Sequence, residues 1–171
     1  MKISESKSGL MIIPAVIFVV IFTILLLKGN RVWSLEIKRD AEKELIFRGK
    51  QFVYAIEKYN KKHMNVNLKD LKILFKKRFI RKLYRDPMSS TGEWNIVMKS
   101  TRAGNKNNKL LIVPESMLSA YLNQAKIIGV SSTSDDIGYY EYRTKKIYNE
   151  WAFYVGAKEN KEMPTLKFVK E

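Results

Sequence analysis

Histidine occurs once in this chain, at His63, and cysteine not at all, so nucleophiles, bases and metal ligands are in short supply. His63 sits among Lys61, Lys62 and Met64. At the end of a helix, a histidine in that company suits the negative pole of the helix dipole and reads as a surface residue, not as a catalytic base. Asp135, Asp136 and Glu141 could offer oxygens to a calcium ion, but they lack the regular spacing of a dedicated calcium loop. Gly129, Gly138 and Gly156 are scattered and read as turn or close-packing residues, so no phosphate-cradling glycine motif is present. Catalysis needs a nucleophile with its base, paired carboxylates in a pocket, or a metal cluster. No such set can be assembled here. The sequence therefore reads as that of a non-enzymatic structural or binding protein, with no cofactor and no small-molecule substrate. The absence of cysteine also removes disulfides and thiolate metal sites.

What the chain offers instead is positive charge, a formal +15 over 171 residues. Its densest concentration is Lys69, Lys72, Lys76, Lys77, Arg78, Arg81, Lys82 and Arg85, opposed within that stretch only by Asp70. A solvated face of a lysine-rich protein explains such a run, and so does contact with lipid headgroups or an acidic partner. Nucleic acid is not expected, because its readers set a recognition helix or stacking aromatics beside the charge, and the sequence makes neither evident.

The elements that must carry these residues begin with one long helical rod, Leu10 to His63. Leu10 to Leu27 is free of charge; with Lys28 it would rise about 28 Å, close to the ~30 Å hydrocarbon thickness of a bilayer. Residues 10–28 are thus expected to form a single transmembrane helix. A signal peptide would have a shorter apolar region and a small-residue cleavage site, whereas Leu25-Leu26-Leu27 runs straight into Lys28-Gly29-Asn30-Arg31. Pro14 falls near the first turn, where a missing amide costs least. Positive residues follow the span more densely than they precede it, but charge alone leaves orientation open for a long domain.

After Gly29-Asn30 the pattern becomes amphipathic. Ile37, Ala41, Leu45, Gly49, Phe52, Ile56 and Tyr59 recur at intervals of four and three along one stripe, while Glu44 with Arg48 and Glu57 with Lys61 form i,i+4 pairs on the opposite face. Gly49 on the buried stripe implies a neighbour that approaches closely. Asn67 is a cap for a second helix, with Asp70 at its third position and Leu68, Leu71, Leu74 and Phe75 inward. Phe79, Ile80, Leu83 and Tyr84 continue helical spacing until Asp86-Pro87 ends it. From Trp94 the pattern turns to short β-type runs: Trp94 to Met98, Leu110 to Val113, Ile127 to Ser131 and Trp151 to Val155. These predict a mainly antiparallel sheet covering the stripe of the helix. Pro114-Glu115-Ser116 opens a short helix with Met117, Leu118, Tyr121, Leu122 and Ala125 inward. Tyr139, Tyr140 and Tyr142 belong to a further strand or to a loop on the sheet.

Those elements, in that order, carry a resemblance. RDAEKELIFRGKQFVYAIEKYNKKH (Arg39 to His63), LKDLK, FIRKLYRDPMSSTGEW (Phe79 to Trp94), IIGVSSTSDD and EWAFYV look like the successive blocks of the type II secretion pseudopilin and type IV pilin family. The segment from Ser100 to Gln124 departs from that pattern. The resemblance implies an α+β, pilin-like fold in which a long N-terminal helix, transmembrane then amphipathic, packs on a small antiparallel β-sheet. The divisions it suggests are a leader-like segment at 1–9, the span at 10–28, the extramembrane helical spine at 29–66, the globular domain at 67–156 and a charged tail at 157–171.

In that family a short basic leader ends in glycine and prepilin peptidase cuts after it. Gly9 and Leu10 occupy the corresponding place, with Lys2 and Lys7 as leader charges. Typical pilins carry a glutamate where this chain has Pro14, which points to a minor, tip-like or accessory subunit. The resemblance implies a location in the inner membrane with the domain outside it, in the periplasm. Its partners would be other pilin-like or pseudopilin subunits, the inner-membrane assembly platform and membrane lipid. The competing expectation is a single-pass anchored protein that recruits an anionic partner or lipid through the patch from Lys69 to Arg85.

Overall fold

A computed structural model of the chain describes residues 8–64, 66–100, 110–157 and 166–168, without the side chains of 8–11 and 26–32. The protein is α+β. Its first element, α1 (Ser8–Lys62), is a continuous helix, and the chain divides into two compact units at Lys38/Arg39.

In the first unit, from Ile12 to Leu25, the helix is apolar on every side. Consecutive positions sample the whole circumference of a helix, and Val16, Ile17, Phe18, Val19 and Val20 are all more than half exposed. Phe18 and Phe22, one turn apart, stack with ring centroids 6.1 Å apart, and the Thr23 hydroxyl donates back to the Val19 carbonyl at 2.7 Å. Among the described residues no helix is long and apolar enough to cross a membrane. The apolar run whose side chains are described, Ile12 to Leu25, rises only about 20 Å, short of the ~30 Å hydrocarbon core. That finding corrects the expected transmembrane helix at 10–28, and the single-pass inner-membrane location is withdrawn with it. Because α1 begins at Ser8, Pro14 lies inside the helix, past the free amides of the first turn, and removes one i→i−4 bond.

In the second unit the stripe finds its cover. Strands β1 (Trp94–Ser100), β2 (Leu110–Pro114) and β3 (Ala125–Ser132) form the centre of a five-stranded sheet. Adding β6 (Ala152–Tyr154) and β7 (Leu166–Phe168) gives the order β6-β3-β1-β2-β7. Its first three pairings are antiparallel, with Ile96 opposite Val113 and Val130, and Val130 opposite Phe153. Only β7 runs parallel, on β2, at the edge. Leu45, Phe52, Ala55, Ile56 and Tyr59 of α1 share one core with Trp94, Ile96, Met98, Val113, Ile127, Val130, Trp151 and Phe153. Val97, Leu110, Ile112 and Ala152 form a smaller cluster with Ile128, Tyr154 and Leu166, as side chains alternating to the other face of the strands must. Ile37 is not part of the buried stripe; it is 59% exposed and lies in the first unit.

Two glycines permit the packing. A Cβ at Gly49 would stand 2.4 Å from the Phe153 ring, so the close neighbour is an aromatic side chain. A Cβ at Gly129 would stand 1.9 Å from the Phe153 carbonyl oxygen, because the backbone of β6 lies directly over it.

The second helix is shorter than its pattern suggests. α2 spans only Lys72–Lys76, and Asp70 supplies its N-terminal hydrogen bond, accepting from the Lys72 amide at 2.8 Å; Asn67 does not. Residues 77–82 are turns and bends. After β2 come a 3₁₀ turn (Glu115–Met117) and α3 (Leu118–Tyr121), and Ala125 belongs to β3. The three tyrosines lie on β4 (Ile137–Tyr142), which pairs with β5 (Lys145–Ile147) in a separate antiparallel hairpin.

Candidate functional site

The basic stretch is built around the end of α2. Its C-terminus closes by the paired bonds of a Schellman motif: the Arg78 amide donates to the Phe75 carbonyl at 3.0 Å and the Phe79 amide to the Leu74 carbonyl at 2.9 Å. That motif puts one residue in the left-handed region, a place usually taken by glycine. Here Arg78 holds it, with φ of 58°, at a cost of about 1 kcal/mol relative to glycine. The αL turn swings the following chain, Phe79 to Tyr84, across the outer face of α1.

Between that loop and α1 lies an open groove of about 960 Å³. One wall is Phe47, Gln51, Tyr54 and Lys58, positions four, three and four apart on a single face of α1. The other wall is Phe75 and Lys76 of α2, then Arg78 to Arg81 and Tyr84. Phe47, Tyr54 and Phe75 are each about half exposed. Four cations line the groove, Lys58, Lys76, Arg78 and Arg81, and no carboxylate does among the described residues. Three of the four come from the basic stretch. Phe47 and Tyr54 could not be read beside the charge in the sequence, because they come from a different element, whereas Phe75, Phe79 and Tyr84 lie within the basic stretch itself.

The eight predicted cations, all exposed, do not act as one surface. Lys69, Lys72 and Arg85 line a separate depression that also holds Asp70, Glu93 and Glu115. There Lys72 pairs with Glu115 at 3.7 Å, and Arg85 donates to the Thr91 carbonyl at 2.9 Å. Lys77 donates to His63 Nε2 at 3.2 Å and lies 5.3 Å from the Tyr59 ring centroid. Lys82 covers Tyr84 at 5.1 Å. Charge in the stretch is thus divided between a half that meets carboxylates and carbonyls and a half that faces rings.

Two buried carboxylates organise the second unit: Glu42, not singled out from the sequence, and Asp86, expected there only to end a helix. Glu42, fully buried, accepts from the Tyr139 amide at 2.6 Å, the Tyr140 amide at 3.0 Å and the Tyr148 hydroxyl at 2.5 Å. It thereby ties β4 to α1. Burial first, and the bond to Glu42 second, push the Tyr148 phenol above its usual range. Arg39 adds a contact to the Tyr139 hydroxyl and places its guanidinium 4.2 Å from that ring. Asp86 accepts from Ser132 Oγ at 2.7 Å and from the amides of Met88 and Thr133 at 2.9 and 3.1 Å, fastening the loop before β1 to the end of β3. The signal for Glu42 was present: it stands three before Leu45 and seven before Gly49, in phase with the buried stripe.

The remaining candidates are spent on packing. His63 stacks on Tyr59 with centroids 4.7 Å apart and meets Phe79 edge-on. Asp135 accepts from the Asn149 side chain, Asp136 from Ser134 Oγ at 3.2 Å, and Glu141 pairs with Lys146 at 3.1 Å. Among the described residues no three histidine or acidic side chains are grouped to hold a metal. Gly9 and Leu10 fall in the first turn of α1, but their side chains, and the leader residues 1–7, lie outside the described residues. So do 101–109 of the departing segment and most of the tail. In comparisons with known proteins, no family model, curated protein or solved structure matches the chain.

Proposed function

We propose that the chain is a non-enzymatic, pseudopilin-like subunit, minor or accessory, of a type II secretion or type IV pilus-like assembly, and that it joins other subunits through its apolar N-terminal helix. The observation that carries this reading is the exposure of Ile12 to Leu25 around the whole helix. An apolar stretch of this extent gains roughly 25 cal/mol for each Å² withdrawn from water, and other helices of the same kind supply that cover on all sides. The order of sequence blocks from Arg39 to Val155 supports the pilin-like class. Pro14, in place of the usual glutamate, supports an end or special position in a mixed filament over self-polymerisation.

The cysteine-free chain makes a clean test. Ile17→Cys, alkylated with a benzophenone maleimide and irradiated so that the ketone inserts into a neighbouring C–H bond, should cross-link in a host with a pilin-like system to a chain that mass spectrometry identifies as beginning with a comparable apolar helix, whereas Ser90→Cys on the second unit, labelled in the same way, should not. Absence of such a partner, or equal yield from both positions, overturns the reading. Intact mass of the same material tests processing: cleavage after Gly9 leaves Leu10 at the N-terminus, and a chain still beginning at Met1 has not been cleaved.

A further inference from the structure

We infer that the groove between α1 and the loop after α2 is a docking site for an acidic peptide segment of a partner protein, one that presents apolar side chains among its carboxylates. Three observations converge on it. Lys58, Lys76, Arg78 and Arg81 face the groove with no carboxylate among the described lining residues, and none of the four is held in an ion pair with a described residue. Like charges gathered in a concavity concentrate an anionic ligand. The half-exposed rings of Phe47, Tyr54 and Phe75 give the same groove apolar walls. Finally, Arg78 occupies a left-handed position that glycine would fill with less strain, and conformational cost of this kind collects where a side chain is needed for binding.

The shape and the rings choose between anions. A bilayer is flat, and a concave groove presents few of its cations to it. Single-stranded nucleic acid needs open ring faces on which bases stack. Here the Lys58 ammonium covers Tyr54 at 4.4 Å and Lys82 covers Tyr84 at 5.1 Å, while Phe47 is engaged edge-on with Tyr84. Phe75, half-exposed, has neither cation nor ring against it among the described residues, and one open face is too few for successive bases to stack; the capped rings are walls for aliphatic or aromatic side chains, and the lysines over them meet carboxylates. Phe47 to Lys58 spans about 16 Å along α1, enough for roughly five residues of extended peptide. A second copy of this chain is a poor occupant because its net charge of +15 opposes approach. The groove lies wholly within the second unit, and the inference stands whether or not the apolar helix assembles as proposed above.

Arg78→Gly separates binding from folding, because glycine suits the backbone at that position while removing the charge. Fluorescence anisotropy of the full chain with a labelled peptide of glutamate and leucine is the measurement. Arg78→Gly should weaken binding about tenfold, the loss of one charge-assisted contact; Lys72→Gln, which removes equal charge outside the groove, should change it less than about twofold. A glutamate–glycine peptide should bind more weakly than the glutamate–leucine one. Failure of the glutamate–leucine peptide to bind, equal binding by Arg78→Gly and wild type, equal loss in Lys72→Gln, or no preference for leucine each overturns the proposal. So does tighter binding to oligodeoxythymidine or to phosphatidylglycerol vesicles that Arg78→Gly weakens, which would assign the groove to nucleic acid or to lipid and not to the exposed apolar helix.

Discussion

Along α1, Ile12 to Leu25 leaves its apolar side chains exposed on all sides, while Leu45, Phe52, Ala55, Ile56 and Tyr59 are buried. Both stretches are helical and rich in large apolar residues, so hydrophobicity alone does not separate their fates. Periodicity does. A stripe one face wide can be covered by the sheet that follows it in the same chain, whereas a helix apolar all round needs cover on every side. The second stretch accordingly carries fold stability, and the first carries apolar surface left exposed.

The largest effect that tests this contrast pairs Phe52→Asp with Ile17→Asp. Phe52 packs edge-on against Trp94 and Tyr84 with centroids 5.6 and 6.3 Å away. A carboxylate there loses the ring's burial and adds an unpaired charge, costing more than about 4 kcal/mol. Thermal melting followed by tryptophan fluorescence should show the second unit unfolded. Ile17→Asp, exposed, should shift that melt by less than about 0.5 kcal/mol. Equal melts for Phe52→Asp and wild type would break the comparison from one side, and a collapsed melt for Ile17→Asp from the other.

Glu42→Gln sharpens it, since Glu42 is a charged residue in the buried stripe. The glutamine keeps the shape, but its amide NH₂ confronts a backbone or phenolic donor that the second carboxylate oxygen had accepted. The loss should be about 3 kcal/mol by urea denaturation, larger than for removing an exposed ion pair such as Lys61 with Glu57. A smaller effect comes from Gly49→Ala. The new methyl would meet the Phe153 ring at 2.4 Å, an overpacking cost of about 1–3 kcal/mol set against a helix-propensity gain of about 1 kcal/mol. Net destabilisation of about 1 kcal/mol in the same assay is expected, and a stabilised variant would mean that Phe153 turns aside freely.

How far the sequence reached follows the same physics. The stripe from Leu45 to Tyr59 and the three central strands β1, β2 and β3 were legible because each repeats a period over several residues, while the three-residue edge strand β6 was legible only as part of the apolar run Trp151 to Val155. The β4–β5 hairpin was not. Its two-residue turn is Arg143-Thr144, with φ of 52° and 71°, where glycine or asparagine would have announced a turn needing positive φ at both positions. β7 is a three-residue edge strand in the charged tail, too short for alternation to speak. Phe79 to Tyr84 kept helical spacing without a helix because Arg78 ends α2 by a left-handed cap that no glycine marks. The groove was half legible: Lys76, Arg78 and Arg81 lie close together in sequence with Phe75, Phe79 and Tyr84, whereas Lys58, Phe47 and Tyr54 are brought to them from α1 by packing. The span expected at 10–28 failed on a different ground, the length of described apolar helix.

The finest test of the contact between α1 and the hairpin is its pH dependence. Tyr148 is buried and donates to Glu42 at 2.5 Å, and its phenol is raised above the ordinary 10.0, by burial and then by that bond. At neutral pH, Tyr148→Phe should cost only about 1 kcal/mol, the net worth of one hydrogen bond. Below the unfolded-state pKa of about 10 the phenol is protonated in both states and its contribution is fully present. As pH rises past that value the unfolded chain releases the proton while the folded chain retains it, so alkali favours unfolding and the contribution is progressively lost. Wild type should therefore lose stability more steeply than Tyr148→Phe from about pH 10 upward, and the two should converge. Every other titratable group is common to both chains and cancels in the difference. Urea midpoints measured for both at neutral and alkaline pH decide it: parallel curves would mean that the Tyr148 phenol ionises as readily in the folded protein as in the unfolded chain, and that Glu42 does not hold the hairpin in the way described.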